Sequence, residues 1–291
     1  MNLPKVGKLL KETFKEWQED KASRIAAALA YYTVFSISPL LVIAIAIAGA
    51  FFGQDTAQEQ ITEQLTALVG EDGVKPILMA LNNISQPRIR GLASLISIGV
   101  LLLGASGIFA QLQDALNTVW KVTPQPGQGL LPFIRKRVSS FLMVLAIGFL
   151  LMLSLILSAV VGALSKYRTD FLPGSSILWE NLDFIVSLGL MTFLFCLMFK
   201  YVPDVKIAWK DVFVGAVITA VLFLFGKFLL GVYLSRGSLG SAYGAAGSLI
   251  VLLAWIYYSA QIVLLGAEFT QVYARMYGSK IRPTKHSQIN E

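Results

Sequence analysis

The segment GSLIVLLAWIYYSAQIVLLGAEFTQVY, residues 247–273, holds one charge, Glu268, in an otherwise apolar run. About 20 apolar residues, rising 1.5 Å each, cross the ~30 Å hydrocarbon core of a bilayer. The run therefore reads as a transmembrane helix. Five further stretches read the same way: roughly 25–52, 91–113, 138–164, 182–200 and 211–234. They predict an all-α, polytopic membrane protein with six transmembrane helices in a single membrane domain over 1–291. Composition agrees, because only 14% of the residues are charged, against about 25% in a soluble domain.

Orientation follows from the lysines and arginines. With six spans, the arm 1–24, the second and fourth loops and the tail 274–291 share one side. That side holds 17 of the 24 basic residues and the other side holds 6, leaving Lys227 inside a span. Basic residues concentrate on the cytoplasmic face of membrane proteins, so both termini are expected in the cytoplasm. The net charge of +7 is accounted for by this asymmetry, and nucleic acid is not expected as a partner. One cysteine, Cys196, excludes an intrachain disulfide and reads as a packing residue. The first 24 residues lack the pattern of a cleaved signal peptide.

Two flanking segments carry helical amphipathic patterns. In KVGKLLKETFKEWQ, 5–18, Val6, Leu10, Phe14 and Trp17 form a stripe among lysines, as in a helix lying on the cytoplasmic interface. The loop 54–90 is too long for an unstructured connector. Ile61, Leu65 and Leu68 form one apolar face, and Val74, Ile77, Leu78, Leu81 and Ile84 another, with Gly70 and Gly73 between them. This predicts an external helical hairpin.

Motifs for chemistry are weak. GASG, 104–107, matches a serine-nucleophile pattern, but the sole histidine, His286, lies in the polar tail, so no base is at hand. Close helix packing by small residues is the plainer reading. Metal-ligand spacings and phosphate-binding loops are missing, and no cofactor is expected. Pro39 interrupts the hydrogen bonding of the first span. The glycine-rich stretch GSLGSAYGAAGS, 237–248, suits either a gate or a tight turn.

Polar side chains within spans turn inward. Tyr257, Gln261 and Glu268 share part of one face of the last span, and Gln111 and Asp114 recur near the end of the second. Arg24 begins the first span at the same depth. These six residues form the expected intramembrane polar cluster, with Arg24 paired to Glu268 and Asp114 as neighbour or alternate partner. Lys227, Tyr31, Tyr32, Pro39, Gly240 and Gly244 are candidates for substrate contact or gating. Lys227 is expected to snorkel outward or to face an anionic headgroup.

Three segments resemble the signatures of the YihY/BrkB family of bacterial membrane proteins: DKASRIAAALAYYTVFSISPLL (20–41), ALNTVWKV (115–122) and YGAAGSLIVLLAWIYYSAQIVLLGAEF (243–269). They occur in order, and the six-span layout extends the resemblance across nearly the whole chain. It implies a multi-pass protein of the bacterial inner membrane. The family has also carried the label of a tRNA-processing ribonuclease. This chain offers neither a metal constellation nor a basic groove for that chemistry. The reading reached is a non-enzymatic transporter or flippase-like protein handling an amphipathic envelope molecule such as a lipid, with membrane lipids as partners. The alternative is a non-transporting scaffold or envelope assembly factor. Oligomeric state, homo-oligomers included, is not fixed by the sequence.

Overall fold

The computed structural model describes residues 3–84, 92–124, 176–236, 246–278, 282–283 and 287–289. The expected span 138–164, most of the loop 166–181, and Gly240 and Gly244 lie outside the described residues. Helix α1 covers Leu3–Glu19, and α2 covers Ala22–Phe52. Asp20 and Lys21 separate them, and Lys21 takes a left-handed conformation with φ +54°. That conformation costs a non-glycine residue energy, and here it breaks the chain into two helices. Helix α2 runs through Pro39 and stops at Gly53, which has φ +88°.

Helix α3, Gln54–Ile84, is two helices joined at Gly70, whose φ of +77° and ψ of +169° are non-helical. The break falls at one of the two glycines separating the amphipathic faces. Ile61, Val69, Val74, Ile77 and Leu81 are buried there against Leu41 and Ala44 of α2 and against Leu252 and Ile256 further along the chain. Helix α4, Leu92–Val119, follows, then strand β1, Val122–Pro124. Helix α5, Ser176–Tyr201, leads through β2, Val205–Lys206, into α6, Trp209–Arg236. Helix α7, Gly247–Met276, is the quoted segment. Strands β3, Arg282–Pro283, and β4, Ser287–Ile289, close the chain.

Among the described residues, three helical stretches are long and apolar enough to cross a membrane: Ala22–Ala50, Trp209–Leu230 and Gly247–Met276. Ile185–Tyr201 is a shorter apolar helix. With short two- and three-residue strands as the only other regular structure described, the chain is an all-α membrane protein. The start of α2, the ends of α4, α5 and α7, and the start of α6 gather at one end of the bundle, called here the charged end. A core of Ala22, Ala26, Leu116, Trp120, Phe199, Val212 and Leu264 joins them. The last residues also return to this end. Strand β1 pairs antiparallel with β4, and β2 with β3.

Two seams show how small residues set helix spacing. A Cβ on Gly104 would lie 3.2 Å from the Pro39 ring, and one on Gly107 would lie 3.3 Å from Ser36 Oγ. The glycines of GASG thus let α4 approach α2. Helices α6 and α7 meet more closely still. Gly215 receives Thr270, and Gly266 receives Thr219; a Cβ on either glycine would overlap the threonine. Each threonine hydroxyl donates to the carbonyl of the glycine four residues earlier on its own helix, Thr219 to Gly215 at 2.7 Å and Thr270 to Gly266 at 2.6 Å. Their polarity is therefore satisfied within the helix, and the backbones pack as small-xxx-small motifs allow.

Candidate functional site

At the charged end, three elements converge on α7. Helix α1 lays Leu9 and Thr13 into a buried face, with Leu9 against Phe269 and Val272 of α7. Glu16 lies one turn further along the same face, and Asp20 occupies the turn into α2. From the other side α4 delivers Lys121, whose left-handed φ of +53° turns the chain out of the helix and into β1. Glu16 is the hub. Its Oε1 accepts from Arg275 Nη1 of α7 at 2.7 Å, and its Oε2 lies 3.3 Å from Lys121 Nζ. Lys121 also donates to Asp20 Oδ1. Four charged side chains from α1, the α1–α2 turn, α4 and α7 thus form one network.

Burial pushes the Glu16 carboxyl up, but the hydrogen bond and charge of Arg275, followed by Lys121, outweigh it and hold the group below its ordinary value. Burial alone would lower the Lys121 ammonium. Asp20 and then Glu16 outweigh that and raise it above the ordinary lysine value. Both shifts favour the charged forms, as a partnered ion pair requires.

Beneath this network lies Glu268, with 0% of its surface exposed. Among the described residues neither of its carboxyl oxygens finds a hydrogen-bond donor, and the same holds for the buried Asp20 Oδ2. The Asp20 carboxyl lies beside it, with Lys121 and Glu16 nearby.

The expected Arg24–Glu268 pair does not form. Arg24 is exposed, and no ion pair joins it to Glu268 or Asp114 among the described residues. The reason is helical phase. Ala22, Ala26, Leu29 and Ala30 are the buried face of α2, and a residue two positions beyond Ala22 stands on the opposite side. Asp114 is likewise exposed at the end of α4, while Asn117 one turn on is buried. Asn117 holds the loop after α5: its Nδ2 donates to Asp204 Oδ2 at 3.0 Å, and its Oδ1 accepts from the Asp204 N–H at 2.8 Å. Gln111 is half-buried. Gln261 donates to the Tyr257 hydroxyl at 2.7 Å, so two members of the expected cluster pair with each other one turn apart on α7. The cluster is therefore split, and only Glu268 of its six residues reaches the charged network.

The other candidates separate as well. Tyr31 and Tyr32 are 59% and 44% exposed on α2, beside Phe35 at 65%. The Tyr31 ring lies 4.9 Å from that of Phe35, so this is an outward aromatic strip. Pro39 serves the α2–α4 seam. Lys227 is half-buried and has no ion pair among the described residues. Sequence reasoning used Lys121 and Arg275 only as topology markers and missed Glu16. The available signal was the four-residue spacing of Glu16 and Asp20, which aligns two acids on one face beside a basic helix end.

The family model described as "Virulence factor BrkB" matches residues 13–290. The chain is 28% identical over 270 residues to a UPF0761 membrane protein of Ralstonia nicotianae, covering 91% of this chain and 58% of the relative. It is 29% identical over 265 residues to one of Methylibium petroleiphilum, covering 89% and 60%, and 28% identical over 260 residues to one of Psychromonas ingrahamii, covering 87% and 83%. The chain thus spans about three-fifths of the first two relatives' length. No solved structure matches it. The chain belongs to the BrkB family of membrane proteins.

Proposed function

We propose that this BrkB-family protein sits in the bacterial inner membrane with both termini in the cytoplasm, and that it moves an amphipathic envelope molecule, a lipid, between leaflets without acting as an enzyme. The observation that carries the reading is Glu268. A fully buried carboxyl with no hydrogen-bond partner inside a membrane helix is costly, and such groups mark substrate and ion pathways. Two features support a lipid as the partner. Helix α1 exposes Leu10 and Phe14 with Lys11 and Lys15 beside them, an arrangement suited to an anionic leaflet. The aromatic strip of Tyr31, Tyr32 and Phe35 supplies an outward surface for acyl chains. No nucleic acid is needed by any of these features.

The test is reconstitution into liposomes carrying a headgroup-labelled fluorescent phospholipid, with an impermeant quencher added outside. The native protein should accelerate loss of the protected inner-leaflet signal, and Lys121→Met should slow it. A rate equal to that of empty liposomes, from folded protein, overturns the reading. The second reading, a scaffold or assembly factor, draws on the α6–α7 seam, where glycine and threonine interlock tightly, and that outcome would favour it.

A further inference from the structure

Glu268 and Asp20 present a chemical problem that the ion-pair network does not solve. Glu268 has two buried oxygens and Asp20 has one that find no hydrogen-bond donor among the described residues, and the Asp20 carboxyl lies within hydrogen-bonding reach of Glu268. Ionised carboxylates only accept hydrogen bonds. Two of them side by side in a low-dielectric site repel, and neither can donate to the other. A single proton resolves this, because a protonated carboxyl donates to its neighbour.

We propose that Asp20 and Glu268 form a proton-binding site, holding one proton between them. The charged groups around it are consistent with a total of one. Lys121 is anchored by Asp20 Oδ1 and Glu16, so its charge is already shared between two carboxylates. Arg275 is committed to Glu16. Arg24 of α2 is exposed. Asp211, the buried acid of α6, sits against Gly278. Glu268 therefore has no cation of its own among these groups, and a proton fills that role.

The site is also placed to transmit its state. Asp20 lies between α1 and α2, next to Lys21 in its left-handed turn, and Lys121 sits in a second such turn at the end of α4. When the proton leaves, the added negative charge draws Lys121 from Glu16 toward Glu268. That loosens the tie between α1 and the end of α4, leaving Glu16–Arg275 as the ionic contact that holds α1 to α7. On the transport reading, on which this last step rests, the proton is the coupling ion and α1 is the element it moves.

The experiment is infrared spectroscopy of the purified protein in lipid nanodiscs, exchanged between H₂O and D₂O. At neutral pH the native protein should show the isotope-sensitive carbonyl band of a protonated carboxyl. Glu268→Gln should abolish it. Asp20→Asn, which serves if Glu268→Gln does not fold, should shift or abolish it. Asp114→Asn should leave it in place. A native spectrum without the band, or a band unchanged in both Glu268→Gln and Asp20→Asn, overturns the proposal. This readout needs no substrate. A protein that moves no lipid but shows the band keeps the proton site and loses the transport reading. A protein that moves lipid without the band does the reverse.

Discussion

Glu16 holds two cations, one from α7 and one from the turn after α4, so its removal tests the network one residue at a time. Glu16→Gln keeps the shape and removes the charge. Hydrogen bonds to charged groups contribute about 1.5–3 kcal/mol, and Arg275 and Lys121 retain partial exposure, 44% and 32%. Solvent therefore relieves part of the loss, and the expected destabilisation is roughly 1–2 kcal/mol, read as a lowered unfolding midpoint in detergent. Because the folded-state value of Glu16 is depressed, its contribution is present above the ordinary carboxylate range and is lost as pH falls through the lowered value. Lys121 is raised, so its contribution is present below the ordinary lysine range and is lost as pH rises through the raised value. The attachment of α1 should therefore persist at neutral pH and weaken at both extremes. Trp17, which packs on the charged-end core, reports it by fluorescence. A signal flat from acid to alkali would mean that these ions do not hold α1.

At the scale of elements, the sequence made the helices plain and their contacts obscure. Hydropathy and glycine placement marked α2, α6, α7 and the break in α3 at Gly70, because bilayer length and backbone conformation act locally. The pairing of side chains between helices depends on rotational phase, which hydropathy does not report. Arg24 entered the expected site through its depth along α2, yet its phase faces it outward. Glu16 stayed hidden because the stripe Val6, Leu10, Phe14 and Trp17 marks a face for the membrane interface, whereas a second face of α1, with Leu9, Thr13 and Glu16, is the one buried against the bundle. The glycine–threonine seam was equally silent, since neither residue stands out in a hydropathy profile. It makes a sharp prediction. Gly266→Ala forces a Cβ into Thr219, and overpacking of this kind costs about 1–3 kcal/mol. Adding Thr219→Ala should recover part of the loss. A Gly266→Ala variant as stable as the native protein would show that α6 and α7 separate without consequence.

At the scale of the whole molecule, the charged end gathers α1, the α4 terminus, the loop between α5 and α6, and the returning strands β3 and β4. The α3 pair packs on the far part of α2 and the start of α7. On the proposed topology the two ends of the bundle face opposite sides of the membrane, and the basic residues of α1 would put the charged end in the cytoplasm. The single native cysteine makes this measurable, because Cys196 is buried and contributes little background. Cysteine at Gln58, an exposed position in the first half of α3, should react with an impermeant thiol reagent applied to intact spheroplasts. Cysteine at Lys11, exposed on α1, should react only after the membrane is opened. The reverse pattern would invert the molecule, and the Asp20–Glu268 pair would then take its proton from the outer side. The direction in which a proton gradient drives any transport would reverse with it.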